Sequence, residues 1–153
     1  MSVLEKVTAE LKNALKEKNT IKISALREIL TALKYKEKET GTPLKPEQEI
    51  EVLSRLKKKH LESISAFEQG GRQDLVEKEK AELEVIEQYL PKPLTQQEIQ
   101  QMVRDAIRTI GAKSMKDMGK VMSALRDKYI GRADGKVVSE EVKKQLSELA
   151  EQS

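Results

Sequence analysis

Apolar residues recur every three or four positions along most of this chain, which is the spacing expected of amphipathic helices. The first stripe comprises Leu4, Val7, Leu11 and Leu15, and it follows Ser2, a residue type that caps helix starts. Six further stretches show the same spacing between residues that start or stop helices. They run from Thr20 to Gly41, Pro46 to Gly70, Asp74 to Tyr89, Thr95 to Gly111, Ser114 to Tyr129, and from Ser139 onward. No stretch shows the alternating pattern of a strand.

A proline-containing segment interrupts the helical pattern after the fourth predicted helix. Pro91 and Pro93 lack the amide donor that a helix needs and restrict the residues before them. Thr95 and Glu98 then form a capping pattern that restarts the helix. We therefore predict an all-α fold with an N-terminal four-helix domain and a smaller three-helix tail domain. Their bounds are residues 1–90 and 95–153, joined by a linker at 91–94.

The segment from Ser114 to Val142 differs from the Lys/Glu-rich helices before it. Gly119 stands inside a helical pattern, where glycine costs about 1 kcal/mol relative to alanine. A glycine at such a position indicates that another helix or a binding partner comes close, and the spacing leaves both readings open. Further on, Arg132 and Lys136 lie in a loop with two glycines and an Asp-Gly turn.

The formal charge is +3, and it is unevenly distributed. Residues 1–91 carry 17 basic and 17 acidic side chains, whereas residues 92–153 carry 12 basic and 9 acidic ones. Between Lys113 and Lys136 the basic residues outnumber the acidic ones seven to three. A local excess of this size can attract a polyanion. The run Lys57-Lys58-Lys59 has two readings, a solvated helix face or an anion-binding patch.

The residue types used in catalysis and metal binding are scarce. His60 is the only histidine and there is no cysteine, so the sequence predicts neither a catalytic dyad nor a transition-metal site. His60 falls on an apolar stripe, which indicates a packing or groove residue with no specified acid–base partner. The acidic pairs Glu77/Glu79 and Glu82/Glu84 read as surface charges. No nucleotide-binding motif occurs, so we predict no catalytic residue, no metal and no cofactor.

The same composition suggests a compartment. The lack of cysteine is compatible with a reducing environment. No apolar run approaches the ~18–20 residues of a membrane span, and the first residues lack a signal-peptide pattern. On these grounds we expect a cytoplasmic protein with no membrane partner.

Three motifs of the tail resemble a known domain. Asp117-Met-Gly-Lys-Val-Met122, Gly131-Arg-Ala-Asp-Gly-Lys136, and Val138-Ser139 with Val142 and Leu146 are similar to the tail shared by YqeY-type proteins and amidotransferase B subunits. Those B subunits belong to the enzyme that converts Glu-tRNA(Gln) or Asp-tRNA(Asn) to the amide form. Residues 87–98 look like the hinge between the two helical domains of YqeY, so the chain resembles a free-standing YqeY protein.

The resemblance implies a binding role, because the tail of the B subunit is the part that contacts the tRNA body. Phosphorylation and amide transfer belong to a larger nucleotide-binding domain, which has no counterpart here. By matching position, the implied RNA-binding residues are Lys116, Lys120, Arg132 and Lys136, with Gly119, Gly131 and Gly135 allowing close backbone approach.

Three functions follow as hypotheses. The leading one is a non-catalytic accessory protein that binds tRNA or a related structured RNA, alongside an amidotransferase or a translation-associated protein. The second is a protein–protein adaptor that docks through the N-terminal helices. The third is participation in carbon–nitrogen ligase activity with glutamine as amide donor, against which the missing nucleotide and glutaminase motifs count. The oligomeric state stays open.

Overall fold

The computed structural model describes residues 1–152, and this part of the chain is all-helical, with seven α-helices, one 3₁₀ turn and no strand. The predicted all-α class is therefore confirmed. The helices are α1 Val3–Glu17, α2 Thr20–Thr40, α3 Pro46–Gln69, α4 Gln73–Glu87, α5 Gln96–Ile110, α6 Met118–Tyr129 and α7 Gly135–Gln152, with the 3₁₀ turn at Met115–Asp117.

Most of the predicted helix ends in the first part of the chain agree with the structure. The Ser2 hydroxyl accepts a hydrogen bond from the Glu5 amide at 3.1 Å, and Pro46 is the first residue of α3. The start of α2 differs, because the residue that caps it is Asn19 and not Thr20. The Asn19 side-chain oxygen accepts from the Lys22 amide at 3.1 Å, which satisfies an amide that has no partner within the helix.

Two predicted helix starts in the tail are wrong. Ser114 caps the 3₁₀ turn and not α6, since its hydroxyl accepts from the Lys116 amide at 3.3 Å. Ser139 lies inside α7, which begins before it. The first turn of α7 is capped by Asp134, whose carboxylate accepts from the Lys136 amide at 2.8 Å. An aspartate is at least as good an N-cap as a serine and adds a charge that the helix dipole favours.

The chain divides into two compact units, the first from Met1 to Pro91 and the second from Lys92 onward. In the first unit, α1 packs on α2, and α4 packs on both α2 and α3. Its main core contains Val7, Ala14, Ala25, Leu26, Ile29, Leu33, Val52, Leu53, Leu56, Val85 and Ile86. A second, smaller cluster of Ile64, Val76 and Leu83 lies further along α3 and nearer the start of α4. Independent folding of the units stays a prediction.

In the second unit, α5, α6 and α7 pack against one another in pairs, and the 3₁₀ turn contacts α6 and α7. The core consists of Ile99, Val103, Ala106, Ile107, Ala112, Val121, Leu125, Val138, Val142 and Leu146. α5 begins with the predicted capping box, in which Thr95 and Glu98 exchange backbone and side-chain hydrogen bonds at 3.0 and 3.1 Å. α5 ends at Gly111, also as predicted.

Among the described residues, no helix combines the length and the apolar character that crossing a bilayer requires.

Candidate functional site

Lys116 and Lys120 lie where the 3₁₀ turn runs into α6. The Asp117 carboxylate accepts from the Lys113 amide at 2.8 Å, which holds the chain that leads into the turn. This hydrogen bond also lowers the pKa of Asp117 below its ordinary value, so the carboxylate is charged at neutral pH. Lys116 and Lys120 are both exposed, and neither forms an ion pair within residues 1–152. Lys116 lies in the 3₁₀ turn and Lys120 in the first turn of α6, four residues apart in the sequence.

Arg132 has a structural contact that the sequence did not predict. Its side chain is half-buried, and its Nε donates to the Lys92 carbonyl at 3.0 Å. Its own carbonyl accepts from the Leu94 amide at 2.8 Å. Arg132 therefore ties the segment that enters the second unit to the loop between α6 and α7. This contact uses one of the five N–H donors of the guanidinium, so the others can still bind a phosphate.

The remaining predicted residues surround the start of α7. Lys136 is exposed in the first turn of α7 and makes no ion pair among the described residues. Gly131 has φ +75°, the left-handed backbone that lets the chain turn after α6. Gly135 is the first residue of α7, and a Cβ there would touch the Tyr129 side chain at 3.5 Å.

Gly119 lies in α6, but no other helix packs against it. A Cβ built at this position meets no heavy atom within 4 Å, so the reading in which Gly119 permits close helix packing is wrong. The surface at Gly119 is open, so close approach by a binding partner stays a prediction. The grouping of Lys116, Lys120, Arg132 and Lys136 into one site likewise stays a prediction.

A second basic surface lies in the same unit and was not predicted. α5 and α7 border an open groove of about 610 Å³. Four basic residues line it, and Glu141 and Glu148 are the acidic ones. The basic residues are Arg104, Arg108, Lys113 and Lys144. The spacing of Arg104 and Arg108 places both on one side of α5, a signal that the sequence contains.

The first unit contains a polar cluster built around His60. His60 is 4% exposed on α3, between the buried residues Leu56 and Ile64. Its Nε2 lies 2.8 Å from Glu28 Oε1 on α2, and its Nδ1 lies 2.5 Å from Glu79 Oε2 on α4. Burial of His60 agrees with the sequence pattern, but its two carboxylate partners were not predicted.

The protonation of His60 follows from these contacts. An ionised carboxylate only accepts hydrogen bonds and a neutral imidazole donates from one nitrogen alone, so contacts to two carboxylates favour the imidazolium form of His60. Burial by itself would lower the pKa of His60, but the hydrogen bond and charge of Glu28, and then those of Glu79, outweigh it. The pKa of His60 is therefore raised above its ordinary value.

Glu82 completes this cluster, which we call the His60 cluster (Glu28, His60, Glu79 and Glu82). It lies on α4 and is 5% exposed. One ligand-type atom from each of Glu28, His60 and Glu82 lies within 4.8 Å of the other two. Burial raises the pKa of the Glu82 carboxyl, and the charge of Glu79 adds to this effect, while His60 partly offsets it.

The prediction that Glu79 and Glu82 are ordinary surface charges is therefore wrong, whereas Glu84 is exposed as predicted. A signal for the inward pair exists in the helical spacing. Glu79 is three residues after the buried Val76, and Glu82 is four residues before the buried Ile86. Both consequently share the inward side of α4.

Known proteins match this chain over most of its length. A family model described as Yqey-like protein covers residues 4–146. The curated relatives are named "Altered inheritance of mitochondria protein 41, mitochondrial". The one from Pyrenophora tritici-repentis is 33% identical over 153 residues, which span 96% of this chain and 80% of the relative. The one from Eremothecium gossypii is 34% identical over 82 residues, 53% of this chain and 45% of the relative. The one from Clavispora lusitaniae is 32% identical over 89 residues, 58% of this chain and 52% of the relative.

The names of these relatives contradict the expected cytoplasmic location, since all three state a mitochondrial one. The expectation was based on composition and on the pattern of the first residues. Neither determines a compartment, because targeting signals are read by receptors and leave no trace in a helical core.

Proposed function

We propose, from the premise that this chain belongs to the Yqey-like protein family, that its second unit binds the backbone of a structured RNA, with tRNA as the first candidate. The observation that carries the proposal is the exposure of Lys116, Lys120 and Lys136. None of the three forms an ion pair within the described part of the chain, so all are free to contact phosphates. Lys120 and Lys136 fall within the motifs that resemble the tRNA-contacting tail of the amidotransferase B subunit, and Lys116 directly precedes the first of these motifs.

The chemistry of the second unit suits an A-form backbone better than single-stranded bases. Tyr129 is its only aromatic residue, and it is half-buried against the core. Recognition of unpaired bases usually relies on exposed aromatic rings, which stack on them. Contacts from lysines to phosphates instead read shape and charge, as the rigid body of a tRNA would require.

We propose an accessory role, in which this chain supplies RNA binding to an amidotransferase or another translation-associated protein. The sequence contains no nucleotide-binding or glutaminase motif of its own. The names of the relatives favour mitochondria as the compartment in which this activity would be needed. This location is tested by expressing the chain with a fluorescent tag in the cells of one of these relatives' organisms. The tagged relative itself serves as the reference for a mitochondrial pattern.

The binding experiment is a titration of fluorescently labelled tRNA at several salt concentrations. Three phosphate contacts predict a log–log slope of about −2 to −3, at ~0.7–0.9 per contact. Changing Lys116, Lys120 and Lys136 together to glutamine should weaken binding and flatten the slope by about 2 to 3. The melting temperature should hardly change, because exposed charges contribute little to stability.

Two further variants locate the site. Lys12, Lys58 and Lys59 are exposed in the first unit, and their change to glutamine removes the same charge. Affinity lost in this control but kept in the Lys116/Lys120/Lys136 variant would contradict the proposed location. Changing Arg104 and Arg108 to glutamine tests the groove between α5 and α7. No tRNA binding by the wild type at low salt would reject the proposed function and leave the adaptor hypothesis.

A further inference from the structure

We propose that the His60 cluster is a binding site for a divalent transition-metal ion. Its ligands would be His60 Nε2 and one carboxylate oxygen each from Glu28 and Glu82. Glu79 would orient the imidazole from the other side. The proposal concerns the first unit and does not depend on RNA binding by the second.

Three helices supply one ligand each, since Glu28, His60 and Glu82 lie on α2, α3 and α4. Metal–ligand bonds of ~2.0–2.2 Å in a tetrahedral site place the ligand atoms about 3.4 Å apart. His60 Nε2 and Glu28 Oε1 are now 2.8 Å apart, so they need to separate by about 0.6 Å. The Glu82 oxygen lies within 4.8 Å of both, so it needs to approach by at most about 1.4 Å, through rotation of its side chain.

The second observation is that Glu82 has no partner. It is 5% exposed, its oxygen is directed at His60 and Glu28, and it makes no hydrogen bond or ion pair within residues 1–152. A cation bound between Glu28, His60 and Glu82 would give this carboxylate a partner.

The donor set of the His60 cluster also suits a divalent cation. It brings three carboxylates around one imidazole, and mixed oxygen and nitrogen donors of this kind bind divalent transition metals.

The contact between Glu79 and His60 is the one expected around a metal-binding histidine. Such a histidine usually donates its second N–H to a carboxylate, which fixes the tautomer and the ring orientation. Glu79 Oε2 at 2.5 Å from Nδ1 already occupies that position. It leaves Nε2 as the nitrogen that faces Glu28 and can take the metal.

An ion can reach the cluster from solvent. The side chains of Glu28 and Glu79 are 30% and 22% exposed, and Glu28 lines an open groove of about 570 Å³ between α2 and α3. One imidazole nitrogen and carboxylate oxygens favour Zn²⁺, Co²⁺, Fe²⁺ or Mn²⁺ over Mg²⁺ and Ca²⁺, which prefer oxygen alone. Three protein ligands leave a coordination position for water.

The test uses the full chain after treatment with EDTA and dialysis. Calorimetric titration with Zn²⁺ should show one ion per chain, and Co²⁺ should develop the visible absorption bands of a site with nitrogen and oxygen ligands. Glu82→Gln, which keeps the shape of the side chain, should weaken Zn²⁺ binding at least tenfold. Glu79→Gln should weaken it about 10- to 100-fold, the range for partners that orient a metal ligand.

Glu84→Gln is the matched control, because Glu84 is an exposed residue on the same helix. It should bind Zn²⁺ like the wild type. Circular dichroism and thermal melting of each metal-free variant show whether it is folded. Only the Zn²⁺ affinities of folded variants are compared with that of the wild type. Absence of stoichiometric Zn²⁺ and Co²⁺ binding by the wild type would overturn the proposal. Equal affinity in Glu82→Gln and Glu84→Gln would also overturn it, because the bound ion would then lie elsewhere.

Discussion

Gly119→Ala should stabilise the second unit. Gly119 has ordinary helical backbone angles in α6, and an added Cβ meets nothing within 4 Å, so alanine introduces no clash. Alanine also lowers the conformational entropy of the unfolded chain, which at a position with compatible backbone contributes about 0.4–1 kcal/mol. For a unit of this size, a gain of that magnitude raises the melting temperature by about 2–8 °C.

Hydrogen exchange of the α6 amides, together with thermal melting, measures this gain. Exchange is needed because two compact units need not unfold in one transition. Gly111→Ala is the matched control, since Gly111 also has open space around its Cβ position but has φ +75°. Left-handed backbone costs alanine roughly 1–2 kcal/mol, so this variant should be less stable. A Gly119→Ala protein less stable than the wild type would refute the reasoning.

The same Gly119→Ala protein tests the remaining reading of this glycine. If an RNA backbone approaches the surface around Lys116 and Lys120 closely, the added methyl group should weaken tRNA binding while stability rises. A variant that is more stable and binds with unchanged affinity would show that the glycine serves neither packing nor RNA contact.

Three further predictions concern the second unit. Residues 92–153 alone should give a dispersed amide NMR spectrum and a cooperative melt, because their core is self-contained; a collapsed spectrum would contradict this. Arg132→Gln should lower the stability of the second unit by about 0.5–1.5 kcal/mol, because the hydrogen bond to the Lys92 carbonyl is lost. Lys136→Gln is the control and should leave the stability unchanged. Equal melting temperatures of the two variants would contradict the structural role of Arg132. Hydrogen bonds from Thr95 lower the pKa of the Glu98 carboxyl below its ordinary value of 4.5. The ionised carboxylate therefore contributes its full stabilisation above pH 4.5, and this stabilisation is lost as the pH falls through the lowered pKa. NMR titration of the Glu98 carboxyl checks the direction, and a value at or above 4.5 would contradict it.

Local signals in the sequence were enough to predict most of the helices. Apolar spacing and caps such as Ser2, Pro46 and Gly111 act within one or two turns, so they are visible without the tertiary structure. The prediction of where α7 starts was wrong for a local reason. Ser139 and Asp134 are both good caps, and the glycine after Asp134 argued for a loop, although Gly135 is helical in the structure.

The candidate sites were harder to predict, because they depend on contacts between distant segments. Arg132 looked like a free basic residue, but it binds the carbonyl of Lys92, forty residues away. The His60 cluster unites residues 28, 60 and 82 from three helices. Judged by charge alone, Glu82 and Glu84 were both interpreted as surface residues. Only the position of Glu82 relative to Ile86 distinguishes an inward carboxylate from an outward one.

Two members of the His60 cluster, His60 and Glu82, occupy buried positions that apolar side chains could fill. Leu56 and Ile64, one turn to either side of His60, are buried on the same stripe of α3. Replacing a buried charged network with apolar residues of similar volume is often neutral or stabilising. Stability alone therefore does not explain a buried imidazole with a buried carboxylate beside it. Local departures of this kind are expected where function requires them. For this reason the metal titration, and not an unfolding curve, is the measurement that decides what the His60 cluster does.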